Sequence, residues 1–146
     1  MTGQRLRSPL RPILTAVVAR LKLQVQDTGI AHVHSIAPTN ASFPYVSVSS
    51  FSFSPNSNKS GYAHEVTGTI NIWDDEQESV GRIFTVVDAV LAALSADRLE
   101  LSDGWDNALV SLDLAEHFTE EWLDETVVVQ HSTVRIKWIV NDLQYR

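Results

Sequence analysis

The chain has 146 residues, with 18 Asp and Glu against 11 Lys and Arg, a net charge of −7, and no cysteine. A single domain of that length buries roughly two thirds of the surface its unfolded chain exposes, so it can hold a core without a metal or a disulfide. The missing thiols exclude cysteine catalysis, Cys-type zinc sites and redox pairs, and they leave the compartment open.

The first element is a helix. Ser8-Pro9-Leu10 reads as its start, with Ser8 as the cap and Pro9 where a missing N–H costs nothing. Leu10, Ile13, Leu14, Val17, Val18 and Leu21 recur at helical spacing to about Leu23, with Arg11 and Lys22 along one margin of the stripe and Arg20 on the other. Such a stripe packs on a sheet. Pro9, Pro12, Arg20 and Lys22 also interrupt the apolar run that a signal peptide requires, and no run elsewhere approaches the roughly 18 apolar residues of a spanning helix. The pattern predicts a soluble chain.

A short strand over Ile30 to Ile36 follows, then a turn-rich connection to Phe43-Pro44-Tyr45, which opens a second strand. Val46 and Val48 alternate with serines there, but Phe51 and Phe53 fall on the other phase. A bulge near Ser49 and Ser50 is expected, with both aromatics pointing away from the main core. After a Ser/Asn-rich tip containing Lys59, the return strand places Val66, Gly68, Ile70 and Ile72 on its buried side and Trp73 on the opposite pleat, as an interface anchor.

Asp74-Asp75-Glu76-Gln77-Glu78 resembles a capping box for the next helix, Ser79 to Leu94. That helix is expected to bury Val80, Ile83, Phe84, Val87, Val90, Leu91 and Leu94. Its other face is small: Gly81, Thr85, Ala89, Ala92 and Ala93, with Arg82 and Asp88 as the charges between Val80 and Leu94. Such a face either suits a covering partner or reflects the helix propensity of alanine. Beyond Asp103-Gly104, Val110, Leu112 and Leu114 read as one half-buried face, followed by the acidic loop Glu120 to Glu125. The last strand, Thr126 to Val140, changes its buried phase near Gln130 to Ser132, which predicts a bend or two served surfaces. The order α-β-β-β-α-β-β gives an α+β fold, two helices on one face of a mainly antiparallel sheet with a long hairpin, in a single domain spanning 1–146.

No phosphate-cradling glycine loop, nucleophile elbow or His-Glu-x-x-His is present. His32 and His34 sit two apart on a strand and, with Asp74 and Asp75, are the candidates for a small metal-dependent or hydrolytic enzyme. Arg5, Arg7, Arg11, Arg20 and Lys22 precede the first acid, Asp27, whereas fifteen of the eighteen acids lie between Asp74 and Glu125. A basic end and an acidic body can join copies charge to charge, although exposed pairs contribute only about 0 to 1 kcal/mol each. A DNA-contacting neck protein using Arg5, Arg7 and Arg11 is the remaining alternative, but that segment lacks the aromatic interleaving common in nucleic-acid binders.

The amino-terminal amphipathic helix, Phe43-Pro44-Tyr45-Val46, the return strand Glu65 to Trp73, the helix Val80 to Leu94 with Leu99-Glu100-Leu101, and His131-Ser132-Thr133-Val134-Arg135-Ile136 together resemble the phage tail-completion family. That family includes the tail terminators and tail-to-head joining proteins of long-tailed phages. The Arg-rich start and the acidic segment Glu116 to Glu125 depart from the family pattern. The resemblance implies a structural, non-enzymatic virion protein of the tail or neck, made in the host cytoplasm and working without cofactor or membrane. Its copies would form a ring, typically of six, at the head-proximal end of the tail tube, ending tube growth and meeting the tail tube protein on one side and a head-completion or stopper connector on the other. Genome DNA would pass through the channel without specific binding, and acidic residues facing it would repel phosphates. The subunit or tube interface is expected among Arg5, Arg7, Arg11, Phe51, Phe53, Lys59, Trp73, Arg82, Thr85 and Ala89.

Overall fold

A computed structural model of the chain describes residues 6–55, 62–121 and 128–144. Helical spacing at the amino end gives α1 (Leu10–Leu21), which buries Pro12, Ile13, Val17 and Leu21. Pro9, not Ser8, holds the cap position; the Ser8 hydroxyl accepts the Leu10 N–H at 3.2 Å. The α-helix stops at Leu21 and widens into a π-helical turn, Lys22–Gln26, that buries Val25. Only His32–His34 of the first expected strand forms a ladder, β1.

The remaining elements are β2 (Tyr45–Pro55), β3 (Ala63–Asp74), α2 (Gly81–Ser95), β4 (Trp105–Glu121) and β5 (Val128–Asp142). They form a five-stranded sheet in the order β1-β2-β3-β5-β4, in which β1 runs parallel to β2 and the other pairs are antiparallel. The fold is α+β, with two helices on a mostly antiparallel sheet; its element order differs from the expected one by the π-helical turn after α1. α1 packs on β1 and β2, and α2 on β3 and β5, so the helix layer stops short of β4. No described helix is long and apolar enough to cross a membrane.

Register explains the core. Val66, Ile70 and Ile72 of β3 face the helices opposite Trp138, Val134 and Ser132 of β5. The bulge expected in β2 occurs between Val48 and Ser50, but its effect is opposite to the expected one. The extra residue returns Phe51 and Phe53 to the helix side, opposite Gly68 and Val66. Phe51 packs against the core, its ring stacked at 6.4 Å on the buried Trp138. A Cβ at Gly68 would lie 2.7 Å from both rings, so only glycine fits between them without displacing one.

Three further expectations are overturned. β5 pairs with β3 without a register shift; Gln130 and Ser132 are buried polar residues in helix-facing places, so the strand does not change phase. The acidic turn does not cap α2. Asp74 is fully buried and accepts from the Arg82 guanidinium, with Nε 2.9 Å from Oδ2, while the Gly81 N–H is met by the Ser79 hydroxyl at 2.9 Å. Val80 and Phe84, expected inside, are exposed, and so are Leu112 and Leu114 of β4.

Candidate functional site

Two surfaces of the sheet carry more than packing. The first is the flank formed by β4 and the adjacent side of α2. Bulges between Asn107 and Leu109 and between Leu112 and Leu114 reset the pleat of β4 twice. As a result Leu112, Ala115 and His117 share the helix-facing side, opposite Ile136, Val134 and Ser132, whereas Leu114 and Phe118 lie opposite Arg135 and His131 on the other side. With no described helix packed on the middle of β4, Leu112 is 54% exposed on the helix side, while Leu109, 64% exposed, lies opposite Ile139 on the other face with the exposed Leu114 and Phe118. Phe84 of α2, 44% exposed, overhangs this strand, and a groove of about 220 Å³ runs between them, lined by Phe84, Val87, Ala115, His117 and Ser132.

Within the groove His117 Nδ1 lies 2.7 Å from Ser132 Oγ, and Phe84 meets the imidazole edge-on at 5.1 Å. Burial lowers the His117 pKa, and the neighbouring His131 adds to the effect. A serine and a histidine at this distance invite a hydrolytic reading, but among the described residues the Nε2 has no hydrogen-bond partner to orient the ring, and Ser132 is buried beyond the reach of a substrate. The pair is a packing contact.

The second surface is the sheet face away from the helices. At one end Trp73 stacks flat on His131, with ring centres 3.8 Å apart and planes within 6°, and Phe118 meets the same imidazole edge-on at 4.8 Å. Asn71 Oδ1 fixes His131 Nε2 at 2.8 Å. Further along, Lys137 bridges Glu65 at 3.4 Å and Asp113 at 3.5 Å, and Arg135 reaches Asp113 at 3.6 Å. The Lys137 pKa is raised, chiefly by its bond to Glu65 and then by the Asp113 charge. Ser50, Ser52, Thr67 and Thr69 line the polar groove beside this ladder. Charge is balanced locally here rather than accumulated.

The expected interface residues are dispersed. Arg7 is turned inward: its guanidinium donates to Asp142 at 3.2 Å, to Gln144 at 2.6 Å and to the Asp103 carbonyl at 2.7 Å, and lies 4.7 Å from the centre of the Trp105 ring. Arg82 is committed to Asp74 and Asp75, and its pKa is raised, first by the bond to Asp74. Phe51 belongs to the core and Ala89 packs against it, whereas Phe53 rests on the His64 ring at 5.0 Å with part of its surface exposed. Thr85 is exposed but donates to the Gly81 carbonyl at 3.0 Å, Arg11 is exposed, and Trp73 is half-buried. Arg5 and Lys59 lie outside the described residues, as does most of the acidic loop, 122–127. Sequence reasoning missed Leu109 and placed Leu112 and Leu114 on one half-buried face, whereas all three are exposed and on both sides of the strand. Their signal was a run of apolar residues in both phases around Asp113, which a one-sided strand does not need.

Among the described residues, no group of three or more His, Asp or Glu is arranged to hold a metal. Of the proposed ligands, His34 packs its ring edge against Tyr45 at 6.2 Å, and Asp74 is held by Arg82.

With this geometry in view, comparisons with known proteins converge. The family described as Tail completion protein gp17 matches residues 13–141. Among solved structures, a chain from the virion of a native gene transfer agent particle superposes with a TM-score of 0.74 at 17% identity, covering 93% of this chain and 99% of that one. The bacteriophage SPP1 gp17 protein superposes with a TM-score of 0.60 at 18% identity, covering 99% of each chain. No curated protein sequence matches the chain.

Proposed function

We propose that this chain, which belongs to the tail completion protein gp17 family, closes with further copies of itself into a ring, of six subunits, at the head-proximal end of a phage-type tail tube. The chain is a structural tail protein and not an enzyme. In the proposed role the ring ends tube growth on one side and presents a seat for the head connector on the other, and the genome passes through its channel without a specific site. The observation that carries the reading is the match of the family over residues 13–141 to a subunit that leaves apolar residues of β4, Leu112 on the helix side and Leu109 and Leu114 on the other, exposed beyond the edge of the described helix layer. Apolar patches of this kind mark surfaces that are covered in the assembled state.

The locally neutral outer face of the sheet supports the same role. At the middle of this face Glu65, Asp113, Arg135 and Lys137 neutralise one another among serines and threonines, so this stretch offers passing DNA no basic track, and Glu116 and Asp106 add acids further along the same face. The acid-lined channel stays a proposal beside it. Arg11, Phe53, Trp73 and Thr85 remain candidate contacts to the tube or to neighbouring subunits, and Arg5 and Lys59 keep that role as sequence-level proposals.

Deleting the subunit from the particle tests the role. Electron microscopy is expected to show tails of uncontrolled length and heads without tails; normal tails joined to heads would contradict it.

A further inference from the structure

The two flanks of the sheet differ in chemistry. The β4 edge is apolar on both sides, with Leu112 and Phe84 exposed on the helix side and Leu109 on the other, and its rim is acidic: Glu116 and the half-exposed Asp106 lie on the outer side of the strand, and Asp88 lies one helical turn beyond Phe84 on the same side of α2. Asp113, another acid of this strand, is already neutralised by Arg135 and Lys137.

The opposite flank is built from β1, the open outer half of β2 and one side of α1. β1 pairs with β2 only at Tyr45, Val46 and Ser47, so beyond Ser47 the outer edge of β2 has no neighbouring strand among the described residues. Arg20 identifies which side of α1 faces outward. Its guanidinium donates to the carbonyls of Asp97 at 2.6 Å and Arg98 at 2.8 Å, just past the end of α2, so the Arg20 margin of α1 faces α2. Arg11 and Lys22 occupy the other margin of the same helix and are exposed on the β1 side. Ile36, just past β1, is 81% exposed there, and His32 is exposed on the strand itself.

We infer that the copy-to-copy contact is head-to-tail: the acidic-rimmed apolar flank of β4 and α2 on one subunit receives the basic flank of α1 and β1, with Ile36, from the next. The inference rests on the ring reading and adds to it which surfaces meet. The occupant of the β4 flank is a second copy because the opposite flank of the same chain supplies the complementary sign and an apolar residue to match. The two patches are at opposite edges of one sheet and are unlike each other, so the contact is heterologous. A heterologous contact repeats around an axis and closes as a ring where its rotation divides a full turn, whereas a two-fold contact would bury the β4 flank against itself and stop at a dimer. The π-helical turn and the bulged strand edges discourage simple strand addition, so side chains carry the specificity.

The test uses native mass spectrometry of concentrated full-length protein and two variants whose substitutions fall on exposed residues: Leu109→Asp with Leu112→Asp on the β4 flank, and Lys22→Glu with Ile36→Asp on the basic flank. Circular dichroism verifies that each remains folded. Wild type is expected to form closed oligomers, and each variant alone to raise the concentration needed for assembly by about tenfold or more. Mixing the two variants restores one good contact per pair, so 1:1 dimers that grow no further are expected. Rings from the β4 variant, or self-assembly by the basic-flank variant into stable dimers, would overturn the head-to-tail contact while leaving the ring reading intact. A wild type that stays monomeric under these conditions would overturn both.

Discussion

β3 and β4 are both long antiparallel strands rich in alternating apolar residues, yet they have opposite fates. Val66, Ile70 and Ile72 of β3 lie beneath α2 and are fully buried, whereas Leu112 of β4, on the same side of the sheet, lies beyond the edge of the described helix layer and is exposed. Alternation establishes that a strand has an apolar side. Whether that side is core or interface depends on which helices the topology places above it, and here two helices cover four strands of five.

Several substitutions sharpen this contrast, and the largest effect belongs to the covered side. Trp138→Ala empties the position on which Phe51 stacks, and is expected to cost about 3 to 5 kcal/mol in urea unfolding. A loss below about 1 kcal/mol would show that the core is not organised around this ring.

Arg82→Ala leaves the Asp74 carboxylate buried without its cation; a loss of about 2 to 3 kcal/mol is expected, and Asp74→Asn in the same background is expected to recover part of it. Equal stability of Arg82→Ala and wild type would dismiss the pair as a surface contact. Gly68→Ala drives a methyl group into Phe51 and Trp138, and is expected to cost about 1 to 3 kcal/mol.

Acidification gives a smaller and more distributed effect. His64, whose ring contacts Phe53, Tyr62 and Trp105, and His117 both have pKa values lowered chiefly by burial, with the Asp142 charge opposing the shift at His64. Unfolding raises each toward the ordinary 6.5, so the unfolded state binds more protons in the intervening window. Stability is therefore full above about pH 6.5 and declines as pH falls toward the folded-state values, a slope that His64→Phe with His117→Phe is expected to flatten. An unchanged slope in thermal melts of the double variant would assign acid sensitivity to other groups. Smallest of all, Leu112→Asp is expected to change the stability of the isolated subunit by no more than about 0.5 kcal/mol, because its side chain is already half in water.

Much of the core was legible because periodicity reports it directly: the α1 stripe and the β3 alternation both describe buried faces. Three features were not legible for local reasons. The bulge near Ser49 was visible as a phase change, but the sequence does not state to which side the following residues return, and Phe51 joined the core. Asp75 and Glu78 have the spacing of a capping box, yet the neighbouring Asp74 found Arg82 eight residues on, and Ser79 met the helix start instead. Arg7 looked like a free surface cation because its partners, Asp142 and Gln144, lie more than 130 residues away in the chain. The proposed interface was the least legible part, since a leucine covered by its own helix and one left for a partner look alike in sequence.

The central claim is that the β4 flank is covered only by assembly. Because the chain has no cysteine, Leu112→Cys provides a single thiol on that flank. Its alkylation rate, measured in dilute protein and again in assembled particles, is expected to fall by at least about tenfold on assembly. Equal rates in the two states would contradict the account.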